Sequence, residues 1–111
     1  MGAYDHKDYT QAVTLLQKCL EKEPSSNYKD KIELYLGLSY LESNKTTKAI
    51  AQFQDLASRE NTQAFTVDWY LALAYLKVEQ IEKAKTILSK LKNGETNPYQ
   101  EKAKALLLKL S

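Results

Sequence analysis

His6 and Cys19 are the side chains of this sequence best suited to catalysis or metal binding. Each is the only residue of its type in the chain. A metal site needs several His, Cys, Asp or Glu residues at ligand spacing, and no such cluster surrounds His6 in the sequence. A nucleophilic cysteine needs a general base and a partly exposed, electropositive site. Cys19 instead shares an apolar helical face with Leu15 and Leu16. We therefore expect a core thiol at Cys19 and a solvated side chain at His6.

Phosphate-binding and glycan chemistry have no better support. The three glycines, Gly2, Gly37 and Gly94, lie too far apart to form a phosphate-binding loop. Residues 44–46 read Asn-Lys-Thr and match a glycosylation acceptor pattern, but so short a pattern also arises by chance. We expect that the chain is not an enzyme and that it holds no cofactor and no metal.

The composition is that of an ordinary globular domain, with 43% hydrophobic and 27% charged residues over 111 positions. A formal net charge of +2 gives little reason to expect a nucleic-acid partner. No apolar run approaches the roughly 20 residues that span a bilayer, so we expect no direct membrane contact. The first residues, Met1 to Tyr4, resemble an expression boundary, and a targeting signal or anchor upstream of them is compatible with the sequence.

Two segments of the chain repeat each other at an offset of 35 residues. Residues 34–41 read LYLGLSYL and residues 69–76 read WYLALAYL. The same offset places Lys48-Ala49 on Lys83-Ala84 and Leu56 on Leu91. Because one offset aligns two separate segments, we infer an internal repeat.

Each repeat unit has the pattern of a first helix and a second helix joined by a short polar break. Apolar residues recur at spacings of three and four along residues 32–40 and again along residues 49–56. Thr46 or Thr47 is a candidate cap for the second helix. Asn93-Gly94 should end the second helix of the later unit.

The two ends of the chain contain incomplete units. Residues 8–23 predict a lone second helix, which Pro24 closes, and only residues 2–7 precede it. Residues 98–110 predict a lone closing helix with Pro98 in its first turn. Such a helix would cover the apolar side of the last repeat.

Particular residues within these units carry a family resemblance. They are Leu36-Gly37, Tyr40, Ala49 and Phe53 in one unit, Leu71, Tyr75 and Ala84 in the next, and Asp8-Tyr9, Ala12, Leu16 and Pro24 in the leading fragment. These positions resemble the tetratricopeptide repeat, a helix-turn-helix unit of about 34 residues. The departures are Ala72 in place of the family's Gly, Leu88 in place of its aromatic residue, and Asn61-Thr62 where a closing Pro is usual.

The resemblance implies an all-α fold of antiparallel helix-turn-helix repeats in a right-handed superhelix, with about five helices and an N-terminal stub. Residues 1–111 would form one domain, with a partial first repeat at 1–26, a second repeat at 27–61, a third at 62–96 and a capping helix at 97–111. The sequence also resembles the C-terminal repeat domain of some bacterial membrane-anchored proteins. That likeness implies the cytoplasmic or the periplasmic face of a larger protein, without deciding between them.

The function that the resemblance implies is the binding of a peptide or partner protein on the concave face, which the first helices line. Those helices are apolar on nearly all sides, as expected of a helix that is buried or awaits a partner. The candidate groove residues are Lys31, Leu34, Leu38, Leu41, Glu42, Trp69, Leu73, Leu76 and Lys77. The alternative is a structural or self-association segment, because a leading helix, the closing helix or a second copy in a homodimer would cover the same stripe.

Four tyrosines lie at helical spacing within the first helices. They are Tyr35, Tyr40, Tyr70 and Tyr75. We expect them to pack between helices rather than to form a ligand site, because the periodicity is that of a core face.

Overall fold

The computed structural model describes the backbone of residues 6–59 and 63–110, and the side chains of those residues except 6–8 and 10. The expectations for the His6 side chain and for the first residues of the chain therefore lie outside the described part. Six helices run through that part: α1 (His6–Glu21), α2 (Ser26–Glu42), α3 (Thr46–Ala57), α4 (Ala64–Lys77), α5 (Ile81–Asn93) and α6 (Gln100–Leu110).

Each helix packs against the next one along the chain, and α2 also contacts α4. The described residues contain no strand, so the predicted all-helical class is confirmed. The helix α1, of 16 residues, confirms the lone second helix predicted at residues 8–23. The described part thus contains six helices, against the five and a stub that the resemblance implies. The hairpins α2–α3 and α4–α5 correspond to the two repeat units.

The turn inside each hairpin has the same backbone in both units. Asn44 and Glu79 adopt left-handed φ angles of 63° and 60°. The N–H of the following residue then donates back to the carbonyl of Tyr40 at 2.8 Å in the first hairpin and of Tyr75 at 2.9 Å in the second. These bonds satisfy carbonyl groups that the end of a helix would otherwise leave unpaired.

This turn makes the predicted threonine caps wrong. The residue that precedes α3 is Lys45, which makes no capping hydrogen bond through its side chain. Because the left-handed turn at Asn44 is so tight, Thr46 is already the first residue of the helix. The predicted end of α5 is confirmed at Asn93, followed by Gly94.

The closing helix α6 begins at Gln100, two residues later than Pro98 suggests. The side-chain oxygen of Asn97 accepts the N–H of Tyr99 at 2.9 Å. This local turn occupies the residues that the sequence assigns to the first turn of the helix.

One small and one large side chain hold the helices of each hairpin together. In the first hairpin Gly37 lies against Phe53, and a Cβ atom at Gly37 would stand 2.5 Å from Phe53 Cε1. In the second hairpin Ala72 and Leu88 take the corresponding places and are both completely buried. The small residue allows the helices to approach closely, and the large residue fills the space between them.

Two equivalent hydrogen bonds show that α1 contacts α2 in the same register in which α3 contacts α4. Gln17 Nε2 donates to Tyr40 Oη at 3.4 Å, and Gln54 Nε2 donates to Tyr75 Oη at 2.5 Å. The tyrosines are 35 residues apart and the glutamines 37. The helix α1 therefore packs on α2 as α3 packs on α4, and each α1 residue corresponds to the α3 residue 37 positions later.

Replacing Gly37 by Ala should destabilise the protein, although Ala favours the helix by about 1 kcal/mol. Overpacking against the Phe53 ring costs about 1–3 kcal/mol, so a net loss of up to about 2 kcal/mol is expected. Adding Phe53→Leu reproduces the Ala72–Leu88 pair and should remove that loss. Urea unfolding followed by helical circular dichroism measures the coupling, and strictly additive effects of the two changes would contradict this packing.

Candidate functional site

An apolar groove of about 850 Å³ opens between α1, α2 and α4. Its lining residues are Tyr9, Ala12, Leu15, Leu16, Tyr35, Leu38, Ser39, Glu42 and Tyr70. We call this surface the α1–α2 groove. Its volume is of the order found in ligand pockets, roughly 300–1,000 Å³, and its walls are mostly apolar, so it suits an apolar segment of a partner.

The α1 wall of the groove is a helix face that the later hairpins bury. The correspondence of 37 residues places Leu16 on Phe53 and Cys19 on Leu56. Phe53 and Leu56 are completely buried, whereas Leu16 is half-buried and Cys19 is exposed. The expectation of a core thiol at Cys19 is therefore wrong. In α3 this face meets the first helix α2, and the described residues contain no helix packed in that way on α1.

Leu15 shows the same contrast in the middle of the wall. Its counterpart is Gln52, whose Nε2 donates to the Glu33 carbonyl of α2 at 3.2 Å. No helix of the described residues lies beside Leu15 in this way, and Leu15 is 62% exposed. A large apolar side chain thus projects into the groove at a position that belongs to a helix–helix interface in the following unit.

The α2 wall repeats this relation at the offset of 35 residues. Its residues Tyr35, Leu38, Ser39 and Glu42 correspond to Tyr70, Leu73, Ala74 and Lys77 of α4. Ala74 is buried in one cluster with Leu34 and Leu41 of α2. Lys77 Nζ donates to the Leu41 carbonyl at 3.3 Å. This side of α4 therefore faces the preceding first helix, and the same side of α2 faces the groove.

Glu42 gives one end of the groove a negative electrostatic character. It is exposed, and it is the one carboxylate among the lining residues. Burial raises the pKa of the Tyr70 phenol above its ordinary value, and coulombic interactions with Tyr99 and Glu42 raise it further. A basic residue of a partner would be favoured at this end.

Leu34 and Leu41, two of the nine predicted groove residues, are core residues in the structure. They are 5% and 7% exposed and belong to the buried cluster that contains Val67 and Leu71 of α4. Their side chains therefore do not form an open surface. The sequence pattern could not distinguish a helix face that meets the next unit from one that meets a ligand.

The other predicted groove residues are divided among several places. Leu38 and Glu42 line the α1–α2 groove. Trp69 is half-buried and stacks on Tyr99, with ring centroids 5.5 Å apart and planes inclined by 14°. Leu76 packs against the first core cluster, and Leu73 is half-buried.

The two predicted lysines lie at the surface in different settings. Lys77 connects α4 to the end of α2, since its Nζ also donates to Asn44 Oδ1 at 3.2 Å. Lys31 is exposed near the start of α2. Of the nine predicted residues, the structure thus brings only Leu38 and Glu42 together in the groove.

Sequence reasoning missed the α1 wall and two groove tyrosines. Tyr35 was expected to pack between helices, but it is 56% exposed, while Tyr70 is half-buried at the groove and stacks on Phe53 at 6.4 Å. The signal that could have found them was the repeat itself. Positions that are covered in a later unit are uncovered in the first unit.

Acidic residues of the first helices form ion pairs outside the groove. The Arg59 guanidinium contacts Glu33 at 2.6 Å, Asp55 at 3.3 Å and Asp30 at 3.6 Å. The hydrogen bond with Glu33 raises the pKa of Arg59 and outweighs desolvation, which lowers it. These contacts join α2 to the end of α3.

The second hairpin contains a comparable tie between its helices. Lys90 Nζ lies 3.2 Å from Asp68 Oδ2. Asp68 is the counterpart of Glu33 at the 35-residue offset. In each hairpin, therefore, an acidic residue of the first helix forms an ion pair with a basic residue in or just after the second helix.

Within residues 6–59 and 63–110, no group of three or more His, Cys, Asp or Glu residues could hold a metal ion. Among the same residues, no helix combines the length and apolar content that crossing a bilayer requires.

Comparison with protein families supports the resemblance seen in the sequence. The tetratricopeptide repeat family model matches residues 3–26 and 33–60. These segments cover α1 and most of the α2–α3 hairpin, and the two matches support assignment to that family. Comparisons with curated proteins and with solved structures give no match.

Alanine substitution at two equivalent tyrosines should give different losses of stability. Tyr35→Ala should change the free energy of unfolding by less than about 0.5 kcal/mol, because its side chain faces the open groove. Tyr70→Ala should cost about 2 kcal/mol or more, because its ring packs on Phe53. Urea unfolding measures both. Equal losses at low protein concentration would mean that Tyr35 is already covered.

Proposed function

We propose that this chain is a protein-interaction module that binds a peptide or partner protein through the α1–α2 groove. Tetratricopeptide repeats generally mediate protein–protein interactions and are not catalytic, and the family match supports such a role here. The stacked hairpins would follow the family's right-handed superhelix, with repeat units at residues 1–26, 27–61 and 62–96 and a cap at 97–111.

The observation that carries this proposal is the exposure of apolar side chains on both walls of one groove. Leu15 and Tyr35 are 62% and 56% exposed, and both line the same cavity. Burial of such side chains contributes roughly 1.5–3 kcal/mol each. A partner segment that covers them would gain a large part of the binding free energy from this small area.

The proposal keeps two of the residues suggested by the sequence, Leu38 and Glu42, and adds the α1 wall. Lys31, Leu73 and Lys77 lie at or near the surface and would contact a ligand that extends beyond the groove. Leu34 and Leu41 would act only by shaping the helix that supports the wall.

Self-association is the second candidate function, since a second copy of the chain would bury the same side chains. A symmetric dimer would place the groove of one copy against the groove of the other. The two functions differ in what contacts Tyr35.

Photo-crosslinking from position 35 tests the proposal. A benzophenone amino acid at position 35 should crosslink to a partner protein, and the same group at position 108, exposed at the opposite end of the chain, serves as the control. The partner, once identified and purified, should bind the wild-type chain and the Leu108→Asp variant. It should bind the Tyr35→Asp variant about tenfold or more weakly.

Either of two results would overturn this assignment. Crosslinks from position 35 that join two copies of the chain, together with a mass that rises with concentration, would favour self-association. A purified partner that binds the Tyr35→Asp and Leu108→Asp variants equally well would place the interface elsewhere.

A further inference from the structure

The α1–α2 groove has the position that a first helix occupies in the next repeat unit. In the α2–α3 hairpin, α2 lies on the α3 face that contains Ala49, Gln52 and Phe53, and it also contacts α4. Moving this arrangement back by one unit places a helix on Ala12, Leu15 and Leu16 of α1, beside α2. Those three residues line the groove, so its walls continue a helix–helix interface that the chain already uses twice.

We propose that the groove takes an amphipathic α-helix of a partner protein, which completes a hairpin with α1. This inference rests on the proposed function, because it specifies the partner segment for the same site. The helix would lie over α1 and beside α2, in the relation that α2 has to α3 and α4.

The partner helix needs a small residue where it crosses Leu16. In the two hairpins of the chain, this place is taken by Gly37 against Phe53 and by Ala72 opposite Leu88. Leu16 has the same side chain as Leu88, so Ala or Gly fits above it, while a larger residue would hold the helices apart.

Charged residues define the direction and register of the helix. Glu42 corresponds to Lys77, which contacts Leu41 and Asn44 at the end of α2. A helix in the groove would therefore bring its last turn to Glu42, where a Lys or Arg is favoured both by the carboxylate and by the helix dipole.

At the other end of the groove, α1 offers positive charge. Glu33 and Asp68 stand four residues before Gly37 and Ala72, and they pair with Arg59 and Lys90 of the following helices. The counterpart of Arg59 is Lys22, just after the end of α1, and that of Lys90 is Lys18 on α1; both are exposed. The partner helix should carry Asp or Glu four residues before its small residue.

A second copy of the chain offers a poor occupant. The helices α2 to α5 each pack between two neighbours, and the free face of α1 carries the large side chains of Leu15 and Leu16 where a small residue is needed, which leaves α6. Ala103 is completely buried with Leu88 and Leu91, as Val67 is with Phe53 and Leu56, so α6 corresponds to α4 at an offset of 36 residues. Leu108 then stands where α4 has Ala72, five residues further on, and its bulk opposes close approach to Leu16.

A peptide from the chain itself supplies a probe with the required pattern. The probe has the sequence of residues 26–45, which contains Glu33 and Gly37, with Asn44→Lys added to face Glu42. If the peptide instead displaced α2 from its place in the protein, the same lysine would lie against Lys77, and the two positive charges would repel each other. The probe therefore favours the groove. Fluorescence anisotropy of the labelled peptide should show saturable binding, and circular dichroism should show that the peptide gains helix.

Two matched changes test the register. Glu42→Lys in the protein should weaken binding of the probe by about tenfold, and a peptide with Asn44→Glu should recover affinity for that variant. Gly37→Leu in the peptide should weaken binding by about tenfold or more. Glu42 is exposed, so its substitution leaves the fold in place.

The possible failures are distinguishable from failure of the proposed function. Binding that ignores both the charge exchange and Gly37→Leu would overturn the helix-in-groove inference. Absence of probe binding, combined with a partner that crosslinks to position 35 and gains no helix, would overturn it while leaving the interaction module intact. If position 35 crosslinks only to a second copy, both proposals fail.

Discussion

Close contact between one small and one large side chain is the interaction on which the fold depends. The ring of Phe53 fills the space that the absent side chain of Gly37 leaves, and Leu88 shares a buried cluster with Ala72. Each pair sets the distance between the helices of a hairpin, and that distance decides which residues of the first helix can reach the following unit. Leu34 and Leu41 are in the core because α4 lies within their reach.

The repeat and its helices could be predicted from the sequence because they rest on local periodicity and on one 35-residue offset. The groove could be predicted only in part, since periodicity shows which residues are apolar and not what covers them. Leu34 and Leu38 lie on the same helix with the same residue type, but Leu34 is in the core and Leu38 lines the groove. Cys19 shows the opposite error, because an apolar face predicted burial where none of the described helices packs.

In the proposed function, stability and recognition use the same helix face. The α3 face that contains Phe53 is covered by α2, and its equivalent on α1 is left to line the α1–α2 groove. A solenoid gains stability from nearest-neighbour contacts, and the α1 face that no described helix covers keeps the shape and chemistry of a helix–helix interface. The acidic Glu42 at one end and Lys18 and Lys22 at the other give this surface a direction.

The most direct test of the account is the reaction rate of Cys19 with a fluorogenic maleimide in the isolated chain. Cys19 is the chain's one cysteine and occupies the place of Leu56, which α2 and its neighbours bury completely. If this face of α1 is open, Cys19 should react at nearly the rate of a free thiol, and dilution should not change that rate. Slow reaction in the folded monomer would show that the face is already covered, and slow reaction that accelerates on dilution would show a second copy seated on it. Either result would contradict an open groove.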